Sequence, residues 1–118
     1  MTFCGIGKRF SLRGEEQYET IGAFWDELAA IYGLECLQGL GYGWSGDTME
    51  YAIGLKDGEI EGWNLCIALP EQGWHKVCGR TNDLKELYDE IYREGPLTYE
   101  IETFNENGDC TVIYCREP

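Results

Sequence analysis

The chain has 118 residues, 43% of them hydrophobic and 14% aromatic, and carries 22 acidic against 9 basic side chains for a net charge of −13. This is the composition of one globular domain over residues 1–118, with enough apolar material for a core and no low-complexity tract. Its charge repels phosphate backbones and offers no cluster of Lys and Arg to neutralise them, so direct nucleic-acid binding is not expected.

The carboxylates are dispersed and none falls in a D-x-[DN]-x-[DN]-G calcium loop, so no metal or other cofactor is expected. No window approaches the ~20 apolar residues of a membrane span, and Met1–Phe10 has no apolar signal-peptide core, which makes the cytoplasm the default and a membrane partner unexpected. On that basis Cys4, Cys36, Cys66, Cys78, Cys110 and Cys115 are expected as reduced thiols. No C-x-x-C pair occurs to build a zinc site.

In chain order, Thr2 to Phe10 is predicted as a strand, followed by a polar stretch. Ile21, Phe24, Trp25, Leu28 and Tyr32 recur at the spacing of one helix face, and Gly33 stops that helix. The glycine-rich Leu34 to Ser45 reads as a loop leading into a strand near Tyr42 to Trp44. Met49 to Leu55 and Ile60 to Leu69 read as two strands of a hairpin turned by Lys56-Asp57-Gly58-Glu59. Gly73 to Gly79 is predicted as a further strand. Asp83 and Glu86 have the spacing of a capping box before a helix whose stripe is Leu84, Leu87, Tyr88, Ile91 and Tyr92. Thr98 to Phe104 and Cys110 to Cys115 close the chain as a hairpin around Asn105–Asp109.

The halves echo each other: Phe24-Trp25-Asp26-Glu27-Leu28 in one helix answers Leu87-Tyr88-Asp89-Glu90-Ile91 in the other, and Glu50 precedes the Gly58 turn as Glu100 precedes the Gly108 turn. The expected fold is therefore α+β, with two strand-helix-strand-strand units forming one antiparallel sheet. Both helices lie on one face, and a ligand groove lies between the halves, on the face away from the helices.

Alternation along Thr98 to Phe104 puts Glu100, Glu102 and Phe104 on one face. In Met49 to Leu55 it sends Glu50 one way and Tyr51 the other, and Glu50 is expected to face Glu100 across the seam. Strand glutamates are ordinarily solvated. The surplus of rings, including Trp44, Trp63 and Trp74 on glycine-flanked segments, raises the reading that carboxylate and aromatic together hold an organic cation. Candidate ligand-binding residues are Glu102, Glu100, Glu50, Phe104, Trp74, Tyr51, Trp63 and Trp44, with no catalytic residue assigned. With one histidine, His75, and neither G-x-S-x-G nor a P-loop, the common triad and nucleotide sites are dropped. Gly39-Leu40-Gly41-Tyr42-Gly43 does not open a helix as a dinucleotide site requires.

In order and spacing, several segments resemble the GyrI-like family of bacterial effector-binding modules, also found attached to AraC-type and MerR-type transcription regulators. These are the Phe24-Trp25/Leu28 helix, Met49-Glu50-Tyr51-Ala52-Ile53-Gly54, Gly73-Trp74-His75-Lys76-Val77-Cys78-Gly79, Leu87-Tyr88-Asp89-Glu90-Ile91-Tyr92, and the closing Tyr99-Glu100-Ile101-Glu102-Thr103-Phe104 with Val112-Ile113-Tyr114. The resemblance implies a free-standing module that binds lipophilic, drug-like cations against a glutamate of the penultimate strand, either Glu102 or Glu100. It implies roles in drug sequestration or transcription regulation. A hydrolase using a groove glutamate, an inhibitor of a protein partner, and a homodimer stay open.

Overall fold

A computed structural model describes residues 1–116. The chain is α+β: one open antiparallel sheet of seven strands with two helices. The elements are β1 (Thr2–Ser11), α1 (Gln17–Tyr32), β2 (Leu37–Ser45), β3 (Thr48–Leu55), β4 (Leu65–Ala68), β5 (His75–Arg80), α2 (Leu84–Arg93), β6 (Leu97–Phe104) and β7 (Asp109–Arg116). Across the sheet the order is β4-β1-β3-β2-β6-β7-β5. Strands β2 and β6 join at its centre through four residue pairs, Gly39–Glu102, Leu40–Ile101, Gly41–Glu100 and Tyr42–Tyr99.

Both helix stripes fold as their spacing predicts. Phe24, Trp25 and Leu28 of α1 are buried against Leu37, Met49, Tyr51 and Ile53 of the sheet. Tyr88 and Ile91 of α2 are buried against Val112 and Tyr114 of β7. Trp25 and Tyr88 converge on Tyr51 and Glu102, so both helices cover the same face. Gly33, at φ 90°, ends α1 with its N–H on the carbonyl of Ala29 at 2.9 Å. The capping box at α2 does not form: a 3-10 turn over Thr81–Asp83 leads into the helix, and Asp83 makes no side-chain cap bond.

Two segments depart from expectation. Leu37–Ser45 is a strand rather than a loop, because Gly39 and Gly41 remove side chains without stopping its backbone pairing, while Gly43, at φ 61°, sits in the irregularity between Tyr42 and Ser45. The Asp-Gly hairpin is absent. Residues 56–64 form a connection that brings β4 back not to β3 but to β1, with Thr2–Gly5 opposite Leu65–Ala68. On the sheet face away from the helices, Phe3, Leu40, Ala52, Leu69 and Ile101 form a second apolar cluster, joined at its edge by Trp74.

The pairing of β4 with β1 sets Cys4 directly opposite Cys66, and the two form a disulfide. This corrects the expectation of six free thiols, which rested on compartment alone. Cys36 and Cys78 are exposed thiols, and Cys110 and Cys115 are buried ones. Among the described residues no helix is long and apolar enough to cross a membrane.

Candidate functional site

A pocket of about 520 Å³ opens between α1 and α2 over the centre of the sheet. Its floor is carried by β6 and β3, whose alternation sends Glu100, Glu102 and Phe104 and likewise Met49 and Tyr51 to the helix face. Strand β2 makes room for them. A Cβ on Gly41 would stand 2.7 Å from Oε1 of Glu100, and one on Gly39 would stand 1.9 Å from the Tyr51 hydroxyl. Gly39 and Gly41, two of the three glycines of β2 that fail as a dinucleotide loop, are thus the place where the sheet gives up its side chains so that larger ones from β3 and β6 can lean over it.

Glu100 and Glu102 are 3% and 4% exposed. The two carboxylates are nonetheless differently served. Each oxygen of Glu102 accepts from a tyrosine: Oε1 from Tyr51, and Oε2 from Tyr88 at 2.5 Å. Tyr51 in turn accepts the indole N–H of Trp25 at 2.8 Å, so an α1–β3–β6–α2 chain of hydrogen bonds crosses the base of the pocket. Glu100 accepts one bond, from the Tyr92 hydroxyl at 2.9 Å.

Burial pushes the Glu100 carboxyl well above the usual carboxylate range, and the neighbouring charge of Glu102 pushes it further; the Tyr92 bond works the other way. Glu102 is also raised by burial, while its bonds from Tyr51 and Tyr88, and the Trp25 indole N–H behind Tyr51, pull it back down. Burial likewise raises the hydroxyls: Tyr18 is pushed up to about 12, and Tyr51 and Tyr88 stand well above their ordinary value. Tyr51 and Tyr88 are therefore neutral donors to Glu102 at physiological pH.

Of the residues predicted for the site, the pocket collects Glu100, Glu102, Phe104 and Tyr51. Trp44 stands just outside, edge-on to Tyr92 at 6.4 Å between centroids. Three residues lie elsewhere. Glu50 projects from the opposite face of β3 and pairs with Arg9 at 2.8 Å. Trp74 joins the cluster on that same far face, with its indole N–H on the Pro70 carbonyl at 2.8 Å. Trp63 is 46% exposed in the 56–64 connection.

The groove was expected on the face away from the helices, because a buried carboxylate is costly and core faces are normally apolar. The carboxylates instead lie on the helix face. Ile101 and Leu40 make the far face apolar as well, so alternation alone could not decide which side the helices cover. Sequence reasoning also missed Trp25, Tyr88 and Tyr92 as pocket residues, placing them on the core stripes of the helices, and gave Tyr18 no role. The available signal was that a buried Tyr hydroxyl needs an acceptor, and α2 carries two tyrosines on its inward stripe.

Replacing Glu102 by Gln is expected to cost about 1–2 kcal/mol of stability, since an amide nitrogen cannot accept the second tyrosine proton and one buried hydroxyl loses its partner. A lowered midpoint in urea unfolding checks this, and an unchanged or raised midpoint would mean that the tyrosines do not compensate the buried charge.

No protein-family model matches the chain, and neither does any curated protein or solved structure.

Proposed function

We propose that the chain binds a cationic, partly aromatic small molecule in the pocket between α1 and α2, with Glu100 as counter-ion and tyrosine rings as walls. One observation carries this reading: two buried carboxylates line a pocket of about 520 Å³ whose lining residues include no Lys, Arg or His. An arriving cation supplies the missing charge, and tyrosine faces attract it further. Gln17 Oε1 and Thr81 Oγ1 add polarity at the rim; both are buried atoms without a hydrogen-bond partner among the described residues, and both residues line the pocket. The volume lies within the range of small-molecule sites.

The resemblance to GyrI-like modules supports the same reading, and so does the chain's order. β1-α1-β2-β3 and β5-α2-β6-β7 follow the same sequence of elements, and apart from β4 the sheet order runs β1-β3-β2 then β6-β7-β5. On this reading of a duplicated unit, β2 corresponds to β6 and β3 to β7. Glu50 is then no counterpart of Glu100. Taking β2 for a loop displaced the equivalence by one strand.

The test is titration calorimetry with aromatic cations and their neutral isosteres. Glu100→Gln is expected to weaken cation binding about 5- to 150-fold, the loss of one charge-assisted contact of about 1–3 kcal/mol. Neutral analogues should scarcely notice the change. Glu102→Gln should reduce affinity less, because its oxygens already serve the tyrosines. If no cation binds, or if Glu100→Gln leaves cation affinity unchanged, the reading fails. Turnover of the bound compound would point instead to a hydrolase.

A further inference from the structure

We infer that a cation entering this pocket expels a proton held by Glu100, so that occupation and proton release are a single exchange. The inference rests on the reading of the pocket as a cation site. It starts from the surroundings of the Glu100 carboxyl, element by element. From its own strand it meets Glu102, and from α2 it meets Tyr88 and Tyr92. Tyr18 faces it from α1, where Asp26 also lines the pocket, and Tyr51 faces it from β3. Tyr114 of β7 stands opposite in register, and from β2 there is only Gly41.

None of these groups is a cation. The nearby basic side chains are engaged elsewhere. Lys85 lies 3.2 Å from both Glu15 and Asp89, and Arg116 binds the carbonyls of Ile91 and Gly95 as well as Glu94.

Two carboxylates on one strand face, both buried and without a counter-ion, do not both stay ionised. The two are unequal, and the inequality decides which one takes the proton. Glu102 has a hydroxyl donor on each oxygen, an arrangement that favours the anion. Glu100 has one donor, on Oε2, and its Oε1 lies over Gly41 with no donor beside it among the described residues. A proton on Oε1 leaves the Tyr92 bond intact and removes the repulsion from Glu102. Burial first, and that repulsion second, displace the Glu100 carboxyl upward in the same sense.

The exchange balances simply. Neutral Glu100 and a cation from solvent give an ionised Glu100 beside the bound cation and one proton returned to solvent. Because proton and cation compete for the same oxygens, affinity should rise about tenfold per pH unit while Glu100 is protonated in the empty pocket and ionised in the filled one. It should level off above that range.

Benzyltrimethylammonium, whose charge is fixed, is the probe, since every proton that appears must then come from the protein. Calorimetric titration of the full chain at neutral pH, in two buffers of different ionisation enthalpy, should show about one proton released per cation bound. Glu102→Gln takes away the repulsion but not the burial, so it should still release protons, up to about one per cation and over a lower pH range. Glu100→Gln should bind more weakly, release none and lose the pH dependence. Infrared spectra provide a reading that does not require the variant to bind: the carbonyl stretch of a protonated acid should be present in the empty protein, vanish on saturation, and be missing from Glu100→Gln.

Binding without proton release, or without that band in the empty protein, would overturn the exchange while leaving the cation site standing. Release that persists in Glu100→Gln would overturn its assignment to Glu100. Failure of the wild-type chain to bind this or any other aromatic cation would overturn both the exchange and the site.

Discussion

Breaking the Cys4–Cys66 bridge, by reductant or by Cys66→Ser, is expected to lower the stability of the fold by about 4 kcal/mol, the chain-entropy value for a closed loop with this separation of 62 residues. That loop contains α1, β2 and β3, so the cross-link restricts more than half of the unfolded chain. The native contacts it guards are few. β4 is four residues at the sheet edge, and the connection before it is anchored by Ile60, which is fully buried. Guanidinium unfolding with and without reductant, repeated on Cys66→Ser, measures the loss. A shift below about 1 kcal/mol, well short of the usual 2–5 kcal/mol, would show that the bridge does not restrain the unfolded ensemble as described.

Gly39→Ala is expected to cost about 3 kcal/mol, at the upper end for overpacking a filled core. The added methyl would stand 1.9 Å from the Tyr51 hydroxyl, 2.6 Å from its ring carbon and 2.9 Å from the Trp25 ring. Tyr51 has no freedom to withdraw, because its hydroxyl is fixed between the Trp25 indole and Glu102. Relief therefore requires breaking the hydrogen-bond chain beneath the pocket. Thermal unfolding checks the size of the loss, and Gly22→Ala is the control. Position 22 lies in α1 with nothing within 4 Å of a built Cβ, so alanine there should be neutral or stabilising, the helix propensity difference being about 1 kcal/mol. Equal behaviour of the two variants would mean that the contact at Gly39 relaxes without consequence.

The sequence made the helices legible because each buries one stripe, and it made the β6–β7 hairpin legible because both runs alternate around Asn105–Asp109. It concealed β2, whose glycines carry no hydrophobic pattern, and with β2 it concealed the strand order. The partner of β4 was unreadable for a related reason: an Asp-Gly turn signal is local, whereas the pairing of residues 65–68 with residues 2–5 is set by how β1 lies across the sheet. Glu100, Glu102, Phe104 and Tyr51 were legible as chemistry. Their surroundings were not, since alternation assigns residues to two faces without saying which face receives the helices. Glu50 was chosen by alternation and fell outside the pocket for this reason, whereas Trp63 and Trp74 were chosen as surplus rings beside glycines, a signal that does not say whether a ring lies in a connection or on the far face.

The join between β2 and β6 also bears on which molecules the pocket can hold. Its two walls stand on opposite banks of that join: α1 rests on the side of β1, β3 and β2, while α2 rests on the side of β6, β7 and β5. Four residue pairs connect the banks, and two of the β2 members are glycines, the least stiff material a strand can contain. The gap between the helices is therefore set by how the sheet coils along one line together with the Trp25–Tyr51–Glu102–Tyr88 bonds that cross it. A small change of coil there is amplified at the height of the helices, as the covers of a book part when its spine is flexed. On the proposed reading of the pocket as a cation site, ligand thickness is accommodated at this line, with every strand keeping its partners.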